Sequence, residues 1–241
     1  MTAINVLRQS KRAYIMTDSA GYDTEGVVHC FYSKTVTIPH LRAAIAVRGS
    51  ANAVALIAAA LGSRFSTFDD LVVSGGVVAE EIYDHYFAIM TNCGETELEI
   101  YLAGWSEARD RPETYVAFSS EAPNRVDLNL PPWVFVEIDE FSAAPLPSED
   151  LLQKVGFKDR SVEAVSPLKG GLKVMEAQRI TPLTPRWLRG GKSHCFVVGG
   201  FVTLTEITQS GVSQSVIHRW PDKAGRAIHP FSTTTTFPLA Q

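Results

Sequence analysis

Thr2-Ala3-Ile4-Asn5-Val6-Leu7, then Arg8-Gln9-Ser10-Lys11-Arg12, then Ala13-Tyr14-Ile15-Met16 is the stretch on which the fold turns. The first six residues alternate as a half-buried strand does, the next five make a polar turn, and Ala13 to Met16 form the returning strand. Chain termini are normally frayed, so a strand that begins at residue 2 is there for a structural or a functional reason. Asp18-Ser19-Ala20-Gly21 closes the second strand with good turn chemistry.

Moving outward, residues 27–32 and 35–38 read as short extended pieces around Lys34. Residues 41–47 form an Ala-rich strand that can lie close beneath a neighbouring layer. Arg48-Gly49-Ser50 breaks it, and Ser50 is a candidate N-cap for a helix over 51–61 that Gly62 ends. A second helix is expected over 77–90, after a flexible Gly75-Gly76. Strands follow at 95–105, 113–119 and 133–138, then a loop over 141–149 and helices at 149–155 and 171–179. Strands at 194–198, 202–207 and 215–218 precede an irregular end. Alternating βαβ units do not give this order, so a doubly wound nucleotide-binding sheet is disfavoured. The order fits an α+β chain built as a four-layer αββα sandwich, two mixed or antiparallel sheets flanked by helices. Residues 1–220 read as one domain and 221–241 as an extension packed on it or at an oligomer interface.

Composition narrows the function classes. A chain of 241 residues, 45% hydrophobic and 20% charged, is neither disordered nor fibrous, and at this size folding buries roughly 70% of the unfolded surface. With 22 Lys and Arg against 26 Asp and Glu, a non-specific nucleic-acid binder is disfavoured. The longest soft stretch, residues 51–61, is too short to span a membrane, and no signal peptide is evident. An odd set of cysteines (Cys30, Cys93, Cys195) in a chain this long favours a reducing, cytoplasmic setting. No metal or cofactor is expected. His29-Cys30 and His194-Cys195 are strand neighbours that point to opposite faces, and Gly75-Gly76 and Gly170-Gly171 are too short to cradle a phosphate.

Thr2, the run Tyr14-Ile15-Met16-Thr17-Asp18-Ser19, Lys34, and the strand Leu41 to Val47 leading through Arg48 to Gly49 together resemble the N-terminal nucleophile hydrolase superfamily. Within it, the proteasome beta subunit and related bacterial protease subunits match the spacing of Thr2, Asp18, Lys34 and Gly49 best. The resemblance spans residues 2 to about 220 and takes in 98–105 and Val197-Val198-Gly199-Gly200. It implies a catalytic set of Thr2, Asp18, Lys34 and Gly49, with Arg48 and Ser19 as substrate-facing neighbours. It also implies a peptide or small-amide substrate and a homo-oligomer.

The chemistry has a physical basis. A threonine hydroxyl needs a base, and an α-amine, with an unperturbed pKa near 7.7–8.0, is partly neutral at working pH. Removal of Met1 gives that amine to Thr2 itself. Lys34 would then be the nearby cation, Asp18 would hold it, and the Gly49 N–H would face the developing oxyanion. The family completes its site with a serine in a Gly-rich turn and a later aspartate and serine. Here Phe141 to Ser148 lacks the glycines, leaving Ser142 or Ser148 for the first place. Pro185 to His194 has no aspartate; Arg186, Lys192 and Ser193 sit there instead. Arg48 either lines the cleft and favours acidic groups or faces solvent. The alternative to an active threonine hydrolase is a catalytically inactive protein of this fold that serves assembly.

Overall fold

The computed structural model describes residues 2–90, 96–120, 122–158, 161–184 and 194–231. The opening hairpin is β1 (Ile4–Gln9) and β2 (Arg12–Thr17), antiparallel with Val6 opposite Ile15. The remaining strands are β3 (Ala20–Tyr22), β4 (Val28–Phe31), β5 (Thr35–Ile38), β6 (Ala43–Arg48), β7 (Glu99–Ser106), β8 (Arg111–Phe118), β9 (Val136–Glu137), β10 (Phe141–Ala144), β11 (Phe201–Thr208) and β12 (Gly211–Arg219). The α-helices are α1 (Ala53–Arg64), α2 (Phe68–His85), α3 (Phe87–Met90), α4 (Pro123–Asp127), α5 (Glu149–Lys154) and α6 (Leu172–Arg179).

The strands form three sheets among the described residues, ordered β10-β1-β2-β11-β12, β5-β6-β7-β8-β9, and the pair β3-β4. Every strand pairing is antiparallel. The expectation of two mixed or antiparallel sheets therefore changes to three antiparallel ones. The third exists because the chain between Asp18 and Lys34 folds back on itself instead of joining a neighbour.

Strand alternation decides what packs where. Ile4, Val6, Ala13 and Ile15 meet Ala44, Ala46, Tyr101 and Trp105 of the other five-stranded sheet. Their alternate neighbours Leu7, Tyr14 and Met16 turn the opposite way, toward Leu172 and Met175 of α6. On the far side of the β6–β7 pair, Val47, Ile100 and Leu102 pack against Ile57 and Leu61 of α1 and Leu71 and Val78 of α2. Each such aliphatic side chain, fully buried, contributes roughly 1.5–3 kcal/mol.

Four elements depart from the sequence reading. Helix α2 starts at Phe68 and runs straight through Gly75-Gly76. Thr67 caps it, accepting from the Asp70 N–H at 3.1 Å and donating to Asp70 Oδ2 at 2.7 Å. Gly76 is there for close approach: a Cβ would fall 1.6 Å from the Trp133 carbonyl oxygen. Residues 141–144, expected as loop, are β10, paired with β1 so that Ala144 faces Ile4. Residues 194–198 form no strand; only an isolated bridge joins Cys195 to Leu183. Helix α1 also continues past Gly62 to Arg64.

Beyond β12 the chain returns to the β3–β4 region. The Val28 N–H donates to Arg226 O at 3.0 Å, the Gly225 N–H to Val28 O at 2.7 Å, and Ile228 is buried with Ala20 and Val28. No helix among the described residues is long and apolar enough to cross a membrane.

Candidate active site

The site grows out of the point where β2 ends and β1 begins. Asp18 directly follows β2, and its backbone N–H reaches the Ala3 carbonyl at 3.4 Å, closing the hairpin at its open end. Its carboxylate is wholly buried and takes four donors. Oδ1 accepts Lys34 Nζ at 2.9 Å and the Ala3 N–H at 3.0 Å. Oδ2 accepts the Ala20 N–H at 3.2 Å and the Gly199 N–H at 3.3 Å. A buried charge persists only when paired and hydrogen-bonded, and both conditions are met for this carboxylate.

Lys34 arrives from the connection between β4 and β5 and is 2% exposed. Its ammonium lies 5.6 Å from the centre of the Tyr22 ring and 6.0 Å from that of Tyr32, so two aromatic faces add to the Asp18 attraction. The Thr17 and Thr35 hydroxyls, 3.3 Å apart and buried, tie the end of β2 to the start of β5. Thr2, 4% exposed, adjoins this cluster through Ala3, whose amide shares the Asp18 oxygen that holds Lys34.

Gly49 ends β6 at φ +131°, a conformation that suits glycine alone; a Cβ there would lie 2.3 Å from Glu97 O. Its neighbour Arg48 turns inward, toward a buried polar chain. Arg48 Nη1 donates to Glu99 Oε1 at 2.8 Å, and the Tyr101 hydroxyl donates to Glu99 Oε2 at 3.2 Å. Burial alone would lower the guanidinium's pKa; Glu99 outweighs it and leaves it raised. Burial, followed by Glu99, drives the Tyr101 hydroxyl far above the ordinary phenol range. Tyr22 lies within electrostatic range of Arg48 as well as beside Lys34, which relates the two cations.

Ser19 is occupied in holding a turn: its Oγ accepts the Phe201 N–H at 2.7 Å and donates to Gly199 O at 3.4 Å. Of the two other serines, Ser148 caps α5, accepting from the Leu151 N–H at 3.4 Å, and Ser142 lines a cavity together with Tyr101 and Arg48. Residues 185–193, where the later aspartate and serine were sought, lie outside the described residues. Among the described residues no group of three or more His, Cys, Asp or Glu is placed to hold a metal ion.

The sequence reading missed the brace behind Asp18. Arg179 of α6 grips Asp222 with two hydrogen bonds of 2.7 Å and also donates to Val198 O at 2.9 Å. Asp222 accepts the Gly200 N–H at 2.8 Å. The chain beyond β12 thus fixes the Gly199-Gly200 turn whose amide meets Asp18. Nothing local in Trp220-Pro221-Asp222 announces this, because the partner lies on a distant helix.

The architecture defines an α+β protein of antiparallel sheets, and its fold is shared with solved structures. Among solved structures, Anbu (ancestral beta-subunit) from Yersinia bercovieri is similar at a TM-score of 0.59 and 10% identity, over 90% of this chain and 86% of that one. An Anbu (Gly-1) mutant from Hyphomicrobium sp. strain MC1 is similar at 0.58 and 11%, over 90% and 87%. No family model matches the sequence, and no curated protein does. The resemblance to the N-terminal nucleophile hydrolase superfamily and the proteasome beta subunit is therefore corrected: at about a tenth identity the likeness is one of fold, and it does not carry family membership.

Proposed function

We propose that the chain hydrolyses peptide or small amide bonds with Thr2 as an N-terminal nucleophile, Met1 having been removed. In this reading the Thr2 amine takes the proton of its own hydroxyl as Oγ1 attacks the substrate carbonyl carbon. The C–O bond forms, and the negative charge gathers on the former carbonyl oxygen, opposite the Gly49 N–H. Collapse expels the substrate amine, which takes the proton back and leaves an ester on Thr2. Water then attacks that ester, freeing the acid and restoring the hydroxyl. Lys34, held charged by Asp18, favours the ionised nucleophile throughout. Arg48 is assigned to the substrate side by its charge, while Ser19, buried with its hydroxyl engaged by the Phe201 N–H and the Gly199 carbonyl, serves the site by bracing the adjoining turn.

The observation that carries this reading is the shared Asp18 oxygen, which takes both Lys34 Nζ and the amide that follows Thr2. The cluster is thereby tied to the chain start and not merely to a buried ion pair. The test is turnover of a panel of peptidyl-coumarin amides by the processed protein. Loss of turnover in Thr2→Ala with partial retention in Thr2→Ser supports the reading, whereas equal turnover in Thr2→Ala removes it.

One observation favours a second reading. Thr2 and Lys34 are both buried, 4% and 2% exposed. In that reading the fold is kept for assembly, as an inactive homo-oligomeric scaffold. The wider frame belongs with either: an αββα layering, one domain over 1–220, and an extension over 221–241.

A further inference from the structure

The chain beyond β12 grips two segments that lead to Asp18 and Lys34. Its first residues hold Gly200 from both sides: the Trp220 N–H donates to Gly200 O at 2.8 Å, and Asp222 Oδ2 accepts the Gly200 N–H at 2.8 Å. Its later residues hold the β3–β4 pair. Gly225 and Arg226 hydrogen-bond Val28 of β4, Ala227 bridges Val27, and Ile228 is buried beside Ala20. The Gly199-Gly200 turn supplies an amide to Asp18, and β4 leads into the connection that delivers Lys34. One segment therefore fixes the approach to both members of the pair.

The four donors on Asp18 are not equivalent. The Ala20 N–H comes from two residues along the chain and the Ala3 N–H from the start of the opening hairpin, so local structure fixes both. The Gly199 N–H arrives from 181 residues away, and its position depends on what grips the turn. That grip is buried. The Arg179 and Asp222 side chains are 8% and 7% exposed, and the two guanidinium nitrogens take both carboxylate oxygens at 2.7 Å. Arg179 also donates to Val198 O, and its guanidinium lies 4.8 Å from the Trp220 ring centre. A hydrogen bond to an ionised carboxylate favours that form, so the Gly199 amide helps keep Asp18 charged opposite Lys34.

We propose that residues 220–228 are a strap that positions the Asp18–Lys34 pair, with Arg179 and Asp222 as its positioning residues. The inference rests on the Thr2 reading and extends it to a helix and a segment far from the chain start. Arg179 and Asp222 act through the Gly199 amide and are assigned no contact with substrate. Tyr22 of β3 and Tyr32 beyond β4 stand beside the Lys34 ammonium, and Arg179 with Asp222 forms the charged layer behind Asp18. Without the strap the Gly199 N–H leaves Oδ2, so the Asp18 charge is less offset, and Lys34 is held less firmly. Both changes let the Thr2 amine keep its proton to higher pH and leave fewer molecules with a free base.

The test compares the processed full chain with Asp222→Ala and with Arg179→Met/Asp222→Ala, which strands no buried charge. Turnover of a peptidyl-coumarin amide is expressed per Thr2 site titrated with a β-lactone, so that an unfolded fraction does not enter. Expected in both variants is a kcat lower by about tenfold or more with KM within twofold. The acid limb of kcat/KM should move up by roughly half a pH unit. Glu113→Gln is the control: it removes a different buried charge, on β8, and should leave kcat per site and the acid limb as in the parent. Amide exchange on chain carrying isotopically labelled glycine reads the strap without turnover, with Gly199 faster by about tenfold relative to Gly76 of α2 in both variants. The proposal is overturned by an unchanged kcat and acid limb in the folded variants, by an equal loss in Glu113→Gln, or by Gly199 exchange that only tracks Gly76. A parent with neither adduct nor turnover removes the Thr2 reading instead, and the Gly199-to-Gly76 ratio then decides by itself whether the strap holds the pair.

Discussion

Lys34 Nζ stands 2.9 Å from Asp18 Oδ1, with the two side chains 2% and 0% exposed. Taking two ions out of water costs several kcal/mol each, and removing one partner strands the other, at a cost of about 3–5 kcal/mol. Asp18→Asn alone should therefore destabilise the fold by about that amount, and Lys34→Met by a similar amount. The double variant strands no charge, so its loss should fall well short of the sum of the two. A double-mutant cycle by urea unfolding reads this coupling directly; additivity within about 0.5 kcal/mol would mean the pair contributes no specific interaction.

Gly49 makes a prediction about backbone rather than charge. At φ +131° with Glu97 O only 2.3 Å from an added Cβ, Gly49→Ala is strained in both dihedral and space. A loss of about 1–3 kcal/mol is expected, together with displacement of the amide assigned to the oxyanion. Gly62→Ala is the control, because that glycine lies within α1 and its added Cβ would meet only side chains, the nearest atom at 3.3 Å. Thermal melts of the two should differ clearly, with Gly62→Ala close to the parent.

Acid stability should centre on Glu113, which is fully buried at the β7–β8 turn. Burial by itself would raise its carboxyl, but Arg109, Tyr115 and Arg111 outweigh that and hold it at about 2, from an ordinary 4.5. A carboxyl depressed in the folded state stabilises above its unfolded pKa, and that stabilisation is lost as pH falls from about 4.5 toward 2. The contribution is on the order of 3 kcal/mol at neutral pH. Urea titrations across this window should show a steep loss in the parent and a shallower one in Glu113→Gln. Identical slopes would remove Glu113 as the source.

The hairpin at the chain start was legible because a period of two over Ile4 to Leu7 and Ala13 to Met16 is a strong local signal. Asp18 and Lys34 were not legible from composition or periodicity; their meeting depends on where β2 ends and on the turn-back through β3 and β4, and only the resemblance paired them. Gly75-Gly76 misled for a related reason. Locally two glycines look like a breaker, yet here Gly76 lets the Trp133 backbone press against α2 and Gly75 lies against Leu61, Leu71 and Phe135. Strand β10 carries too few residues to show alternation, and its partner β1 lies far from it in sequence, with Ala144 opposite Ile4. The Arg179–Asp222 brace likewise joins segments that no window of sequence contains.

The central claim is that Thr2 is a free N-terminal nucleophile activated beside Lys34. Intact mass before and after incubation with a β-lactone measures it most directly. The account predicts a species lacking Met1 that gains one covalent adduct, absent in Thr2→Ala. A protein that retains Met1, or a free Thr2 that never gains the adduct, would contradict it and leave the assembly reading in its place.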